Sequence, residues 1–163
     1  MTKHGAEVRW QRGADEAFVD RRYSRAHTWH FDGGAVVPGS SSPHSVPLPF
    51  SRAESVDPEE AMVAAIASCH MLTFLFLAAK AGYTIERYVD SSVGELGKNE
   101  DGRPALTHVT LRPNIVFSGA PTPDDAAVEA LHHRSHEECI IANSVRTTIA
   151  VDGTYTHRSG PGR

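Results

Sequence analysis

The sequence predicts an α+β fold for a single domain that spans residues 1–163. Short stretches of alternating apolar and polar residues fill the first third of the chain, as in strands with one buried face. One long apolar helical segment follows, and a pair of strand-like segments separates it from a second helix. The predicted order is three strands, a helix, two strands, a helix and a closing strand. Strands grouped in runs favour an α+β domain over a doubly wound parallel sheet.

Composition and charge exclude several classes of protein. The chain is 22% charged with a formal net charge of −4, which argues against collagen-like, coiled-coil and wholly disordered chains. A mildly acidic chain lacks the basic footprint of a nucleic-acid-binding protein. The N-terminal residues lack the apolar stretch of a secretory signal, so we expect a cytoplasmic location.

The first third of the chain contains the N-terminal strands. Val8 and Trp10 lie in a short alternating stretch, and residues 24–31 form a second one. The Asp32-Gly-Gly34 triplet is typical of a hairpin turn. Residues 38–56 contain four prolines among many serines, which predicts a long loop available for function or partner contact.

The first helix has clear start and stop signals. Asp57 is a good N-cap, Pro58 suits the first helical position, and Glu60 completes the spacing of a capping box. The helix can run to about Ala81, where Gly82 provides a C-terminal stop.

The body of this helix has no charged residue from position 61 to position 79. A run of that length is a transmembrane candidate, but polar residues near its middle and the lack of flanking aromatic and basic residues favour a soluble helix. Its large apolar residues point in every direction around the helix axis, so both sides need cover. One sheet covers only one side, and we therefore expect an obligate homodimer without membrane insertion.

The second half of the chain supplies the remaining elements. Residues 85–96 predict a strand, residues 99–102 a turn, and residues 109–117 a second strand in which Pro113 marks an edge or a bulge. Residues 121–125 open a second helix that includes Cys139, and residues 145–151 predict the closing strand. We expect the tail to be frayed from about residue 155 to residue 163.

The two cysteines, Cys69 and Cys139, are too few for a disulfide framework. They are compatible with buried hydrophobic positions or with a redox pair. They are also compatible with a zinc site. Its potential ligands are Cys69, His70, His132, His136 and Cys139.

A redox role for Cys69 needs a nearby cation, because apolar surroundings raise the pKa of a thiol. Arg25, on a predicted strand, is a candidate for that cation. Glu59 lies ten residues before Cys69, about 15 Å along an ideal helix. A bridging arginine from another segment would have to connect the carboxylate with the sulfur.

Two segments of the chain resemble the OsmC/Ohr family of osmotically inducible and organic-hydroperoxide-resistance proteins. They are Asp57-Pro-Glu-Glu-Ala-Met-Val-Ala-Ala-Ile-Ala-Ser-Cys69-His70 and His136-Glu-Glu-Cys139-Ile-Ile-Ala-Asn-Ser-Val145. The resemblance extends from about residue 25 to residue 151. The Cys69-His70 pair and the Tyr-Ser-Arg-Ala-His-Thr-Trp segment at residues 23–29 indicate an OsmC-like subgroup rather than Ohr proper.

The resemblance implies antiparallel sheets with long central helices in an intertwined homodimer, whose active sites lie at the subunit interface. It also implies a thiol peroxidase that needs no metal or other cofactor. By position, Cys69 is then the peroxidatic cysteine and Cys139 the resolving cysteine, while Glu59 pairs with an arginine for which we choose Arg25. The expected substrate is an organic hydroperoxide, with hydrogen peroxide as a further possibility. A dithiol, for which a lipoylated protein is one candidate, would serve as reductant. The alternative is a non-enzymatic dimer of the same fold that binds a small ligand or a metal.

Overall fold

The computed structural model describes residues 2–158. Its strands are β1 (Ala6–Arg9), β2 (His27–Phe31), β3 (Val36–Gly39), β4 (Thr84–Asp90), β5 (Val93–Lys98), β6 (Pro104–Leu111), β7 (Pro113–Ser118), β8 (Thr148–Val151) and β9 (Thr154–Arg158). Its helices are α1 (Pro58–Lys80) and α2 (Asp125–Glu138), and a short 3-10 turn covers Ala142–Ser144. The α+β class is therefore confirmed. The chain forms two compact units, one up to Ala61 and one from Met62 onward.

The first unit is built on a three-stranded antiparallel sheet in the order β1-β2-β3. Gly34, at φ 87°, takes the left-handed conformation that the predicted turn between β2 and β3 requires. The loop after β3 is attached to the sheet, because Val56 pairs with Gly39 and the Ser40 hydroxyl accepts a hydrogen bond of 2.9 Å from the Arg52 amide. Among the described residues, every buried hydrophobic side chain lies at or after Ile66, so this sheet contributes none.

Helix α1 begins and ends as its sequence predicts. The Asp57 carboxylate accepts a hydrogen bond of 2.8 Å from the Glu60 amide, and the Glu60 carboxylate accepts one of 3.1 Å from the Asp57 amide. This is a reciprocal capping box. At the other end Gly82 has a φ of 84°, and the Tyr83 amide donates to the Ala78 carbonyl. Such a C-terminal motif pairs carbonyls that the helix itself leaves unpaired.

The two faces of α1 differ in burial. One face is buried, and consists of Ile66, His70, Phe74, Leu77 and Ala78. At 100° per residue the opposite face is an exposed, mostly apolar stripe, consisting of Ala64, Ala65, Ser68, Leu72, Phe76 and Ala79. Leu72 and Phe76 are 61% and 62% exposed. By length and composition α1 is apolar enough to cross a membrane, a property that core helices of soluble proteins share.

The second unit contains two three-stranded sheets of mixed direction. One has the order β4-β7-β9 and the other the order β5-β6-β8. In each, the first pair is antiparallel and the second pair is parallel. The two long strands predicted for residues 85–96 and 109–117 are each divided in two, the second one between Leu111 and Pro113.

Two apolar clusters stabilise the second unit. The larger contains Phe74, Leu77, Ala78, Ile115, Phe117, Val128 and Leu131, and joins α1, β7 and α2. The smaller contains Ile66, Val109 and Leu111, and joins α1 to β6. Burial alternates along residues 109–117, as in a strand with one buried face, although the two halves of this segment belong to different clusters.

The C-terminal region differs from expectation in two respects. Helix α2 ends at Glu138, so Cys139 is its C-cap and not a residue within the helix. The tail was expected to fray from about residue 155, but residues 154–158 form β9, parallel to β7. The remainder of the expected frayed tail, residues 159–163, lies outside the described residues.

Candidate active site

Cys69 lies near the middle of α1, at the margin between the buried face and the exposed stripe. Its side chain is half-buried. The Thr73 hydroxyl, one turn further along α1, donates a hydrogen bond of 2.9 Å to the Cys69 carbonyl. Thr73 therefore bonds the backbone of Cys69 and not its sulfur. A half-buried thiol on a rigid helix is accessible to a small reactant and is held in a defined position.

Cys139 is only 1% exposed and follows the last residue of α2. Its sulfur accepts a hydrogen bond of 3.3 Å from the Ala142 amide. Burial raises the pKa of the Cys139 thiol and the nearby Cys69 side chain raises it further, although hydrogen bonds from the Ala142 and Ile141 amides oppose this. The carbonyl end of α2 also disfavours a negative charge at this position. Cys139 is therefore a protonated thiol near pH 7.

The structure thus brings the two cysteines together. The Cys69 side chain is close enough to Cys139 to raise the pKa of its thiol, so both sulfurs belong to one site although the residues are 70 positions apart in the sequence. Both are free thiols. Cys69 is half-buried and is the more accessible member of the pair.

Arg25 lies in the first unit, just before β2. Its guanidinium donates hydrogen bonds to the carbonyls of Arg21 and Tyr23, and it stacks over the Tyr23 ring at 3.8 Å from the ring centroid. Arg21 has a φ of 64°, a left-handed conformation that is uncommon for a residue with a side chain. The local backbone therefore orients this guanidinium.

Glu59 lies in the first turn of α1 and is half-buried. Among the described residues, the ion pairs include neither Glu59 nor Arg25. The structure therefore places the predicted arginine and glutamate in the same unit but does not pair them.

A histidine pair joins α1 to α2. His70 Nε2 and His132 Nδ1 are 3.0 Å apart, and their rings stack with centroids 5.3 Å apart. Burial lowers the pKa of each histidine to about 4, so both rings are neutral near pH 7. The sequence singled out both residues as potential zinc ligands. Among the described residues, however, no group of three or more histidine, cysteine or acidic side chains is arranged to hold a metal ion.

Two further polar residues near the histidine pair had no signal in the sequence. Tyr88 and Asp90 occupy alternate positions at the end of β4. The Asp90 carboxylate raises the pKa of His70, although burial and His132 lower it more strongly, and together with burial it raises the pKa of Tyr88. A strand residue in this position would normally be assigned to surface or core packing, so only the tertiary structure reveals their proximity.

Comparison with known proteins identifies the family. The model of the OsmC-like protein family matches residues 51–153, which include both cysteines and α1. The chain belongs to the OsmC-like family. A search of curated proteins finds no match.

Solved structures of OsmC-like proteins share the fold. An OsmC-like protein of unknown function from Vibrio cholerae is 52% identical, with a TM-score of 0.92, and the match covers 94% of this chain and 100% of that one. An organic hydroperoxide resistance protein from Elizabethkingia anophelis is 18% identical, with a TM-score of 0.67 and coverage of 97% and 98%. The organic hydroperoxide resistance protein OhrB of Bacillus subtilis is 19% identical, with a TM-score of 0.61 and coverage of 95% and 98%. The last two similarities show the fold alone.

Proposed function

We propose that this OsmC-like protein is a thiol peroxidase that reduces organic hydroperoxides through Cys69. The observation that carries this proposal is the proximity of half-buried Cys69 to buried Cys139, whose pKa the Cys69 side chain raises. Two free thiols that lie close together can alternate between the reduced state and a disulfide. The family includes proteins named for organic hydroperoxide resistance, which supports the same chemistry.

The reaction would proceed in three steps. The Cys69 thiolate attacks the terminal oxygen of the hydroperoxide, the O–O bond breaks, and the alkoxide leaves as an alcohol after taking up a proton. Cys69 is then a sulfenic acid. The Cys139 sulfur attacks the Cys69 sulfur, water leaves, and a disulfide forms. An external dithiol, for which a lipoylated protein is one candidate, reduces the disulfide by thiol exchange.

The different environments of the two sulfurs support this order of attack. The thiolate is the nucleophile, and Cys139 is held as a thiol by burial, by the nearby Cys69 side chain and by the carbonyl end of α2. Attack at Cys69 therefore comes first, and Cys139 resolves the intermediate.

We propose that Arg25 stabilises the Cys69 thiolate and that Glu59 positions Arg25. A guanidinium is permanently charged and matches a carboxylate in geometry, so this pairing suits an arginine held beside a sulfur anion. In the chain as described, the Arg25 guanidinium instead donates hydrogen bonds to two backbone carbonyls. The proposal therefore requires that these bonds break in the assembled protein and that Arg25 pairs with the Glu59 carboxylate.

The assembly we propose is a homodimer. The exposed stripe of α1 includes Leu72 and Phe76, which are 61% and 62% exposed on a helix whose other face is fully packed. A contiguous apolar surface of this kind is typical of an interface. We place the dimer in the cytoplasm, without a membrane or nucleic-acid partner.

The test is a count of free thiols before and after one equivalent of cumene hydroperoxide is added. We expect the wild-type protein to lose both thiols and the Cys69→Ser variant to lose none. If Cys69→Ser protein consumes the hydroperoxide at the wild-type rate, the peroxidase proposal is wrong.

Metal analysis of the same preparation tests the alternative, since stoichiometric zinc would favour a metal-binding protein without peroxidase activity.

A further inference from the structure

A cavity of about 400 Å³ lies beside α2 in the second unit, and it does not include either cysteine. Helix α2 supplies one wall, and β8 and β9 supply the other. Its volume is within the range of sites for small molecules. The apolar part of the lining comes mainly from Val128, Ile149 and Val151.

His132 connects this cavity to the buried interior. The residue lines the cavity, while its Nδ1 faces His70 Nε2 at 3.0 Å. Its ring also packs against Phe74, with centroids 4.5 Å apart. Among the described residues His132 Nε2 has no hydrogen-bond partner, and it is not one of the buried unpartnered atoms, so it is accessible.

Behind the histidine pair lie three buried polar atoms that have no partner among the described residues. They are His70 Nδ1, the Tyr88 hydroxyl and Asp90 Oδ2. His70 is 1% exposed. The other oxygen of Asp90 accepts hydrogen bonds of 2.6 Å from the Ser92 hydroxyl and 2.7 Å from the Arg112 amide, so this carboxylate is an acceptor. Buried polar groups are paired as a rule, often through a bound water.

The Asp90 carboxylate favours one arrangement of the hydrogens. It is near enough to raise the pKa of His70, and Nδ1 is the His70 nitrogen that does not face His132, so a proton on Nδ1 is favoured and His70 Nε2 becomes an acceptor. His132 must then donate from Nδ1 to His70 Nε2. A neutral imidazole has one N–H group, so Nε2 of His132, a residue of the cavity lining, is left as a free acceptor.

The permanently charged side chains of the cavity lining are acidic. They are the exposed carboxylates of Asp125 and Glu129, and the lining contains His132, His133 and His136 but no lysine or arginine. The Tyr155 hydroxyl donates to the Asp125 carboxylate and fixes its position. Acidic groups around an apolar wall, with a neutral histidine acceptor, are complementary to a cation that has an apolar body.

We propose that this cavity is a second ligand site, which binds a small protonated amine with a short apolar body, and that His132 Nε2 accepts a hydrogen bond from the ammonium group. Glu129 supplies the opposite charge. Asp90 and His70 are positioning residues, because they fix the tautomer of His132 without contact with the ligand. The proposal is independent of the peroxide chemistry of Cys69.

Calorimetric titration of the full-length protein with hexylammonium, hexanol and hexanoate tests the site. We expect hexylammonium to bind at least about tenfold more tightly than either analogue. Glu129→Gln should weaken hexylammonium binding about threefold to tenfold, the effect of about 1 kcal/mol expected for a partly exposed ion pair. Glu138→Gln is the matched control, since Glu138 is on the same helix but pairs with Arg134 at 2.8 Å. Equal binding of the three probes, or equal effects of the two variants, would overturn the proposal.

Nitrogen NMR of the histidine side chains gives a second test that does not depend on a ligand. We expect His70 and His132 to carry their protons on Nδ1 near pH 7. Asp90→Asn should weaken the preference for Nδ1, and the exposed His44, which lies outside the cavity lining, provides an internal reference. A proton found on His132 Nε2 in the wild-type protein contradicts the acceptor role.

Discussion

His70 Nε2 and His132 Nδ1 lie 3.0 Å apart and connect the buried face of α1 to α2. Both rings are neutral near pH 7, because burial lowers the pKa of each to about 4 from an ordinary value of 6.5. Protonation of either ring would place a positive charge next to the other ring in the core. The pair therefore couples the packing of the two helices to pH.

The first prediction concerns stability in acid. Between about pH 6.5 and about pH 4 the unfolded chain binds protons at these histidines and the folded chain does not, so the free energy of unfolding falls as the pH drops. One pKa unit corresponds to about 1.4 kcal/mol, so the loss should reach a few kcal/mol. Urea unfolding near pH 7 and near pH 4.5 measures it. His133→Gln, on the exposed side of α2, should keep the same pH dependence, and constant stability across this window would contradict the prediction.

The second prediction concerns the resolving cysteine. Cys139→Ser protein should reduce about one equivalent of hydroperoxide and then stop, because Cys69 oxidised to sulfenic acid has no partner thiol. Dimedone labelling followed by mass spectrometry should find the sulfenic acid on Cys69. The wild-type protein is the control and should show little label, since its disulfide forms first. Continued turnover of the variant with the same dithiol reductant would show that Cys139 is not the resolving cysteine.

The local features of this chain were predictable from sequence. The capping box of Asp57 and Glu60 and the stop at Gly82 depend on residues close together in the chain, and both occur as predicted. Pro113 was recognised as an irregularity, but the division of its strand was not. Strand β9 was missed because it pairs in parallel with β7, a contact between distant segments that leaves no local pattern.

The site shows the same limit. Spacing alone left three interpretations of Cys69 and Cys139 open, and only the family resemblance favoured a pair. Their proximity depends on how α1 packs against the end of α2, which no local rule specifies. The proximity of Asp90 to His70 is likewise a consequence of tertiary packing. The exposed stripe of α1 was anticipated, because a helix that is apolar all round requires cover on both sides.

The third prediction concerns this stripe. If it forms the dimer interface, Phe76→Glu places an unpaired charge in that interface and weakens the free energy of association by several kcal/mol. The dissociation constant of the dimer should therefore rise at least about a hundredfold. Sedimentation velocity across a concentration series measures the change. Val89→Glu is the matched control, because Val89 is 47% exposed on β4 and lies outside the stripe. A monomeric wild-type protein at micromolar concentration, or equal effects of the two variants, would exclude this interface.

The fourth prediction concerns the arginine that activates Cys69. A hydrogen bond to a charged group contributes about 1.5–3 kcal/mol, so Arg25→Gln should slow the reaction of Cys69 with cumene hydroperoxide by about tenfold to a hundredfold. Stopped-flow measurement of the first turnover isolates this step from reduction of the disulfide. Glu59→Gln should have a smaller effect in the same direction, because a carboxylate that only positions the guanidinium acts through it.

Arg22→Gln is the matched control for this prediction, since Arg22 lies three residues away and its guanidinium is 5.9 Å from the Phe50 ring centroid. It removes the same charge from the same segment, so any long-range electrostatic effect on Cys69 should be similar in the two variants. A selective loss of rate in Arg25→Gln therefore reports a direct contact with the thiolate. If both variants react at the same reduced rate, the activating cation is a different arginine. If both react at the wild-type rate, this segment does not belong to the site.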